Sequence, residues 1–200
     1  MTEPAPGSSP TPEAPQQNAW QAPPPDHAKD PGPAPGVTYA DLSFRVFGYI
    51  IDAIIAAVLF LVIGTVILGV VGSLGGALGW VIGLVFLVAF NAAFSAIYFI
   101  YSWTTLRASP GQKVLGLETV NAADGATLTQ PQAIRRWLWL FGPFVLLSAL
   151  QMVVGGAVGT IFSLGSLGYG IYLLYTTYQH PKRQGLHDVQ AATVVVRRAA

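Results

Sequence analysis

The chain has 200 residues, of which 10 are Lys or Arg and 9 Asp or Glu, a formal net charge of +1. Charged residues make up 10%, against about 25% in ordinary soluble domains, while 52% are hydrophobic and 22 are glycine. So little basic charge excludes a nucleic-acid partner, and a chain without cysteine has no disulfides, thiolate metal sites or cysteine nucleophiles.

Residues 1–36 hold 11 of the 15 prolines, with Ala, Gly, Ser and Gln between them. Such a segment buries too little apolar surface to offset its ordering entropy, which predicts a disordered tail with polyproline II character. Trp20, its single aromatic residue, is read as incidental. No apolar run opens the tail, so a cleaved signal peptide is not expected.

Beyond the tail, charge nearly vanishes. FRVFGYIIDAIIAAVLF, Phe44 to Phe60, carries Arg45 and Asp52, and the next 54 positions carry none until Arg107. A second uncharged run of 43 positions extends from Trp137 to Gln179. As single helices, the apolar blocks 46–106 and 137–179 would reach roughly 90 Å and 65 Å, far beyond a hydrocarbon core of about 30 Å. Each must break, and glycine makes the break cheap: Gly72 to Gly79 in the first, Gly155, Gly156 and Gly159 in the second. Four spans follow, 46–71, 80–103, 137–155 and 160–178. Pro143 lies inside the third and predicts a kink or the end of its interfacial part. All ten cations then fall on one side, which the positive-inside rule makes cytoplasmic, with both termini.

The connection 104–136 contains LETV, NAADG and ATLT, which read as two short strands around an Asp-Gly turn. ATVVV (192–196) is a candidate third strand. Thr129 before Pro131 reads as a helix N-cap with proline in the first turn. The segment Ala133 to Arg136 is then a basic helix start on the inner surface, leading into Trp137 and Trp139 at the interface. The fold class expected is an all-α membrane protein: four transmembrane helices, a small cytoplasmic β-hairpin element, and a disordered N-terminal tail.

A charged group near the centre of a membrane helix costs roughly 3 kcal/mol on insertion scales, so Asp52 needs a reason. Arg45 and Asp52 are seven residues apart, nearly on one helix face but separated by roughly 10 Å along the axis. Desolvation favours the protonated acid and a nearby arginine the carboxylate, so a carboxyl between them can exchange a proton or bind a cation. The plainer reading has Arg45 anchoring the helix at the headgroups and Asp52 hydrogen-bonding a neighbouring helix. Asn91, Ser95, Tyr98 and Ser102 form one polar stripe, which either lines a hydrated path with Asp52 or joins helices. His27, His180 and His187 lack metal-ligand spacing, and Gly72 to Gly79 lacks the Lys-Ser/Thr of a phosphate loop. No catalytic residue, metal or other cofactor is expected, and no enzymatic activity.

Three segments in order, FRVFGYIID with Arg45 and Asp52, SPGQKVLGLETVNAADG, and RQGLHD ending at Asp188, resemble the RDD family of bacterial membrane proteins over about 38–196. Arg45 matches the family's arginine, and Asp52 and Asp188 its two aspartates. SPGQK stands where the family usually shows a Thr-Pro-Gly-Lys-like turn, and Gln184 where a basic residue is common. The Pro-rich tail looks like that of actinobacterial members. The resemblance implies an integral protein of the bacterial cell membrane, and some members are linked to sodium/proton antiport. Two function classes follow. One is a transport element with Arg45, Asp52 and Asp188 as the ion or proton site and Asn91, Ser95 and Tyr98 as a polar path. It would take protons and Na+ or another monovalent cation, and with four helices it needs a homo-oligomer or a partner. The other is a non-transporting membrane adaptor that recruits proteins through its cytoplasmic loop and Pro-rich tail.

Overall fold

The computed structural model describes residues 32–73 and 75–198. The tail expected to be disordered lies outside the described residues as far as residue 31. In chain order the helices are α1 (Leu42–Gly72), α2 (Gly76–Tyr101), α3 (Pro110–Val114), α4 (Gln130–Val154), α5 (Gly156–Gln179) and α6 (Leu186–Ala191), with strands β1 (Val37–Tyr39), β2 (Leu117–Asn121) and β3 (Thr193–Arg198). Among the described residues, four helices are long and apolar enough to cross a membrane: α1, α2 with the π-helical turn Ser102–Leu106 that extends it, α4 and α5. The shortest, α5 with 24 residues, is roughly 36 Å long at 1.5 Å per residue, enough for the hydrocarbon core.

The breaks fall at the two glycine clusters. Gly155 and Gly156, at φ 61° and 54°, turn the chain from α4 into α5 in a backbone region that only glycine enters cheaply. Pro143 lies inside α4, which runs unbroken from Gln130 to Val154. The helix starts one turn or more before the apolar run because Gln132 Oε1 accepts from the Thr129 amide at 3.0 Å and Pro131 sits in the first turn. Outward faces carry Ile54, Val58, Leu61, Val66, Val85, Leu164 and Ile171, all exposed. Apolar surface on that scale belongs against lipid. This is an integral membrane protein.

One end of the bundle carries a small α/β cap. The sheet order is β1-β3-β2, antiparallel throughout, with Tyr39 opposite Val196 and Val120 opposite Val194. As the middle strand, β3 buries Val194 and Val196 on one face with Val120, and Val195 on the other with Ala40 and Leu117, the alternation a strand imposes. The third strand expected at 192–196 is present, but the hairpin is not. Residues 126–129 do not return as a strand; Ala126 accepts one backbone bond from Asn121, and Thr129 already serves as the N-cap of α4. β2 pairs instead with β3, some seventy residues on, and β1 was not legible as a strand at all. Because β1 precedes α1, α3 and β2 join α2 to α4, and α6 and β3 follow α5, the cap gathers all three non-membrane connections at one end.

Candidate functional site

The polar residues of the bundle converge where α1, α2 and α4 meet the cap. They form two separate nests, each around one aspartate.

The first nest surrounds Asp188. α6 begins at Gly185, whose amide donates to Asp188 Oδ2 at 3.1 Å and fixes the carboxylate toward the bundle. Arg45 Nη1 reaches the same oxygen at 2.8 Å from the first turn of α1. Arg136, from α4, donates to Asp188 Oδ1, to Thr193 Oγ1 at 2.7 Å and to the Tyr49 hydroxyl at 3.2 Å. Its guanidinium also lies 4.9 Å from the centre of the Trp103 ring, a cation–π contact. Arg45, Arg136 and Asp188 are all buried. One acid and two arginines therefore tie α1, α4, α6 and β3 together.

The second nest surrounds Asp52, two turns deeper on α1 and also buried. Its Oδ1 accepts from the Tyr98 hydroxyl at 2.9 Å and from the Gly111 amide at 2.8 Å, and its Oδ2 accepts from the Ser109 hydroxyl. Ser-Pro-Gly-Gln builds this cradle. Ser109 is the N-cap of α3, Pro110 fits the first helical position, and Gln112 Oε1 accepts from the Ser109 amide at 3.0 Å while its own amide faces Ser109 Oγ. Gly111 is where the loop touches α1: a Cβ there would lie 2.9 Å from the Asp52 nitrogen and closer still to the Gly48 carbonyl.

The residues singled out from sequence are thus divided. Arg45 and Asp188 meet; Asp52 does not meet Arg45, and among the described residues it pairs with no cation. The helical phase brought Arg45 and Asp52 to one face, but the axial rise between them left each to bond its own part of the cap. Tyr98 bonds Asp52, whereas Ser95 accepts from Trp137 Nε1 at 3.3 Å, joining α2 to α4. Asn91 and Ser95 line a cleft between the helices that also touches Asp52. Three residues that sequence reasoning left out carry the site: Arg136, Ser109 and Gly111. The capping-box spacing Ser-Pro-Gly-Gln signals the last two. Arg136, assigned with Arg135 to the basic surface, is buried, while Arg135 is exposed.

His187 completes the ensemble. It is buried in α6 with its Nε2 3.5 Å from Asp188 Oδ2, and neither ring nitrogen has a hydrogen-bond partner among the described residues. Burial, with Arg136 and Arg45 nearby, holds its pKa well below the ordinary 6.5, so the ring is neutral. Among the described residues no group of three or more His, Asp or Glu side chains could hold a metal ion.

Four apolar helices, with buried arginines and aspartates clamping an α/β cap onto one end, define a multi-pass membrane protein whose ionisable groups lie at the junction. The family model described as RDD family matches residues 39–192, and the chain belongs to that family. The match takes in Arg45, Asp52, Arg136 and Asp188 together. Among curated proteins and solved structures, none matches the chain.

Proposed function

We propose that the protein is a non-transporting membrane adaptor of the bacterial cell membrane, with its cap and both termini in the cytoplasm. One observation carries this reading: each buried acid spends all or most of its accepting capacity on donors that hold the cap, four at Asp188 and three at Asp52. Asp188 accepts from two arginines, Thr193 and the Gly185 amide, and Asp52 from Tyr98, Ser109 and Gly111. A carboxylate with its lone pairs so occupied stabilises a fixed geometry and offers little to an incoming cation. What the clamp holds in place is a surface: Lys113, Val114 and Arg135 are exposed on the cap side, and the positive-inside rule puts that side in the cytoplasm.

A second reading has its own support. Asp52, Asn91 and Ser95 line one cleft between the helices, as a carboxyl-centred cation or proton path requires. Proteoliposomes separate the two. The adaptor reading expects no proton movement coupled to an imposed Na+ or K+ gradient in wild type. Photo-crosslinkers at Lys113 and Arg135 in native membranes should trap a discrete partner, and that product should vanish when the cap is unseated. Coupled flux that Asp52→Asn abolishes overturns the adaptor.

A further inference from the structure

Between α1, α2, α4 and α5 lies a cleft of about 1020 Å³, at the upper end of the roughly 300–1,000 Å³ typical of small-molecule sites. It follows α1 from Arg45 to Phe60, a depth of roughly 20 Å. The cleft exists because α1 and α5 meet only sparsely, whereas α1 on α2, α2 on α4 and α4 on α5 pack closely. Small residues keep the gap open: Ala53, Ala56 and Ala57 on α1, Gly170 on α5. Its walls away from the cap are mostly aliphatic and aromatic, with Phe60, Leu87, Phe144 and Leu174 among them, and Asn91, Ser148 and Ser166 as polar exceptions.

The cap end differs. His187 lines it with both ring nitrogens unpartnered although the residue is only 4% exposed, and Arg45, beside it, has an unpartnered buried Nε–H. Buried polar groups in native proteins are nearly always hydrogen-bonded. A neutral imidazole offers one donor and one acceptor, and Arg45 Nε adds a second donor. Arg45 and Arg136 are already paired with Asp188, so what is left to a ligand is the imidazole and a single guanidinium N–H, which match a hydroxyl or carbonyl oxygen.

We propose that the cleft binds one long-chain lipid with an uncharged, oxygen-bearing head, its chain along α1 and α5 and its hydroxyl or carbonyl oxygens at His187 and Arg45. Lipid enters sideways through the α1–α5 gap, because the cap closes the end of the bundle where the head lies. The site does not depend on the adaptor reading, and saturable labelling separates it from the transport reading, which claims the same cleft as a cation or proton path.

The test uses the full chain in native membranes with a photoreactive monoacylglycerol. Expected adducts, mapped to single residues, fall on Ala53, Ala56 and Ala57 and on Gly170 and Leu174, and excess unlabelled monoacylglycerol suppresses them saturably. A fatty acid of equal chain length should compete about tenfold less well, the loss of about one 1.4 kcal/mol interaction. Ala56→Trp and Gly170→Leu, which fill the cleft, should remove the labelling. His187→Leu should weaken monoacylglycerol retention about fivefold, one neutral hydrogen bond of about 1 kcal/mol, and leave labelling by a headless alkyl diazirine unchanged. Labelling that does not saturate, or that falls equally on Ile54, Val58 and Leu61, would show ordinary bilayer contact and overturn the site. So would chain-to-chain adducts through the cleft, which assign it to a second copy. Equal competition by the fatty acid overturns the uncharged head. The wild-type competition decides the matter even where a filling variant fails to fold.

Discussion

Gly111 rests directly on Gly48: the loop ahead of β2 touches the backbone of the first membrane helix with no side chain between them. A Cβ on Gly111 would press on the Gly48 carbonyl and stand 2.9 Å from the Asp52 nitrogen. Both obstacles are backbone, so neither can rotate away. Gly111→Ala must lift the loop, which lengthens the Gly111 amide bond to Asp52 and displaces Ser109. Overpacking of this kind costs about 1–3 kcal/mol. Thermal unfolding in detergent should show that loss, together with faster proteolysis between α2 and α4. An unchanged melting temperature would mean that the loop does not seat as described.

The nest around Asp188 predicts an order of severity that a simple pair would not give. Asp188→Asn leaves two buried guanidiniums facing each other, and removing one partner of a buried ion pair costs about 3–5 kcal/mol. Arg45→Met or Arg136→Met removes one of two cations and leaves Asp188 paired with the other, so each should cost clearly less. Arg136→Met also gives up the Tyr49 and Thr193 bonds and the Trp103 contact, and should be the worse of the two. Denaturation of the three variants in one detergent checks the order. A milder Asp188→Asn would sink this account.

His187 gives the stability a pH dependence of known sign. Its folded pKa lies well below the ordinary 6.5 because burial and two arginines oppose its charge. Below about pH 6.5 the unfolded chain therefore binds a proton that the folded chain refuses, and stability falls as pH falls, by at most about 1.4 kcal/mol per pH unit. Melting curves between pH 7.5 and 5 should show the decline, and His187→Gln should flatten it relative to wild type.

The four spans and the breaks between them were legible because they follow from local quantities: run length, glycine position and the reach of a helix. The meeting of Arg45 with Asp188 was legible only through the resemblance, since 143 positions separate them. Two features escaped for physical reasons. Arg135 and Arg136 carry the same charge on adjacent positions, and only the phase of α4, set by its N-cap at Thr129, decides which points inward. The hairpin expected at 117–129 competed with a pairing to β3, and the longer strand Thr193–Arg198, which buries Val194, Val195 and Val196, won. Strand partners distant in sequence leave no local trace.

The side of the membrane is open to a clean measurement, because no native cysteine competes for label. Ser73→Cys and Val153→Cys lie at exposed positions near the two short turns, and Lys113→Cys on the exposed cap. A membrane-impermeant maleimide should reach the first two from outside intact cells, and the third only after the cells are opened. Labelling of Lys113→Cys in intact cells would place the cap outside and reverse the orientation inferred from the cations.

Asp52 allows the last distinction, between a carboxyl kept for its charge and one kept for its shape. Three donors face it, two of them hydroxyls that can turn and accept instead. Asparagine fits this nest. Its carbonyl can take the Gly111 amide and the Tyr98 hydroxyl, while its NH2 donates to Ser109 Oγ. Leucine fits the volume but leaves the buried Gly111 amide without its carboxylate partner, a cost of about 1–3 kcal/mol. Asp52→Asn should therefore melt within about 1 kcal/mol of wild type, since it exchanges ion–dipole bonds for neutral ones without orphaning a group. Asp52→Leu should lose about as much as Gly111→Ala, and the two together little more than either, because both release the same loop from the same helix. If Asp52→Asn is as damaging as Asp52→Leu, the negative charge itself is required, and the transport reading gains the ground that the adaptor loses.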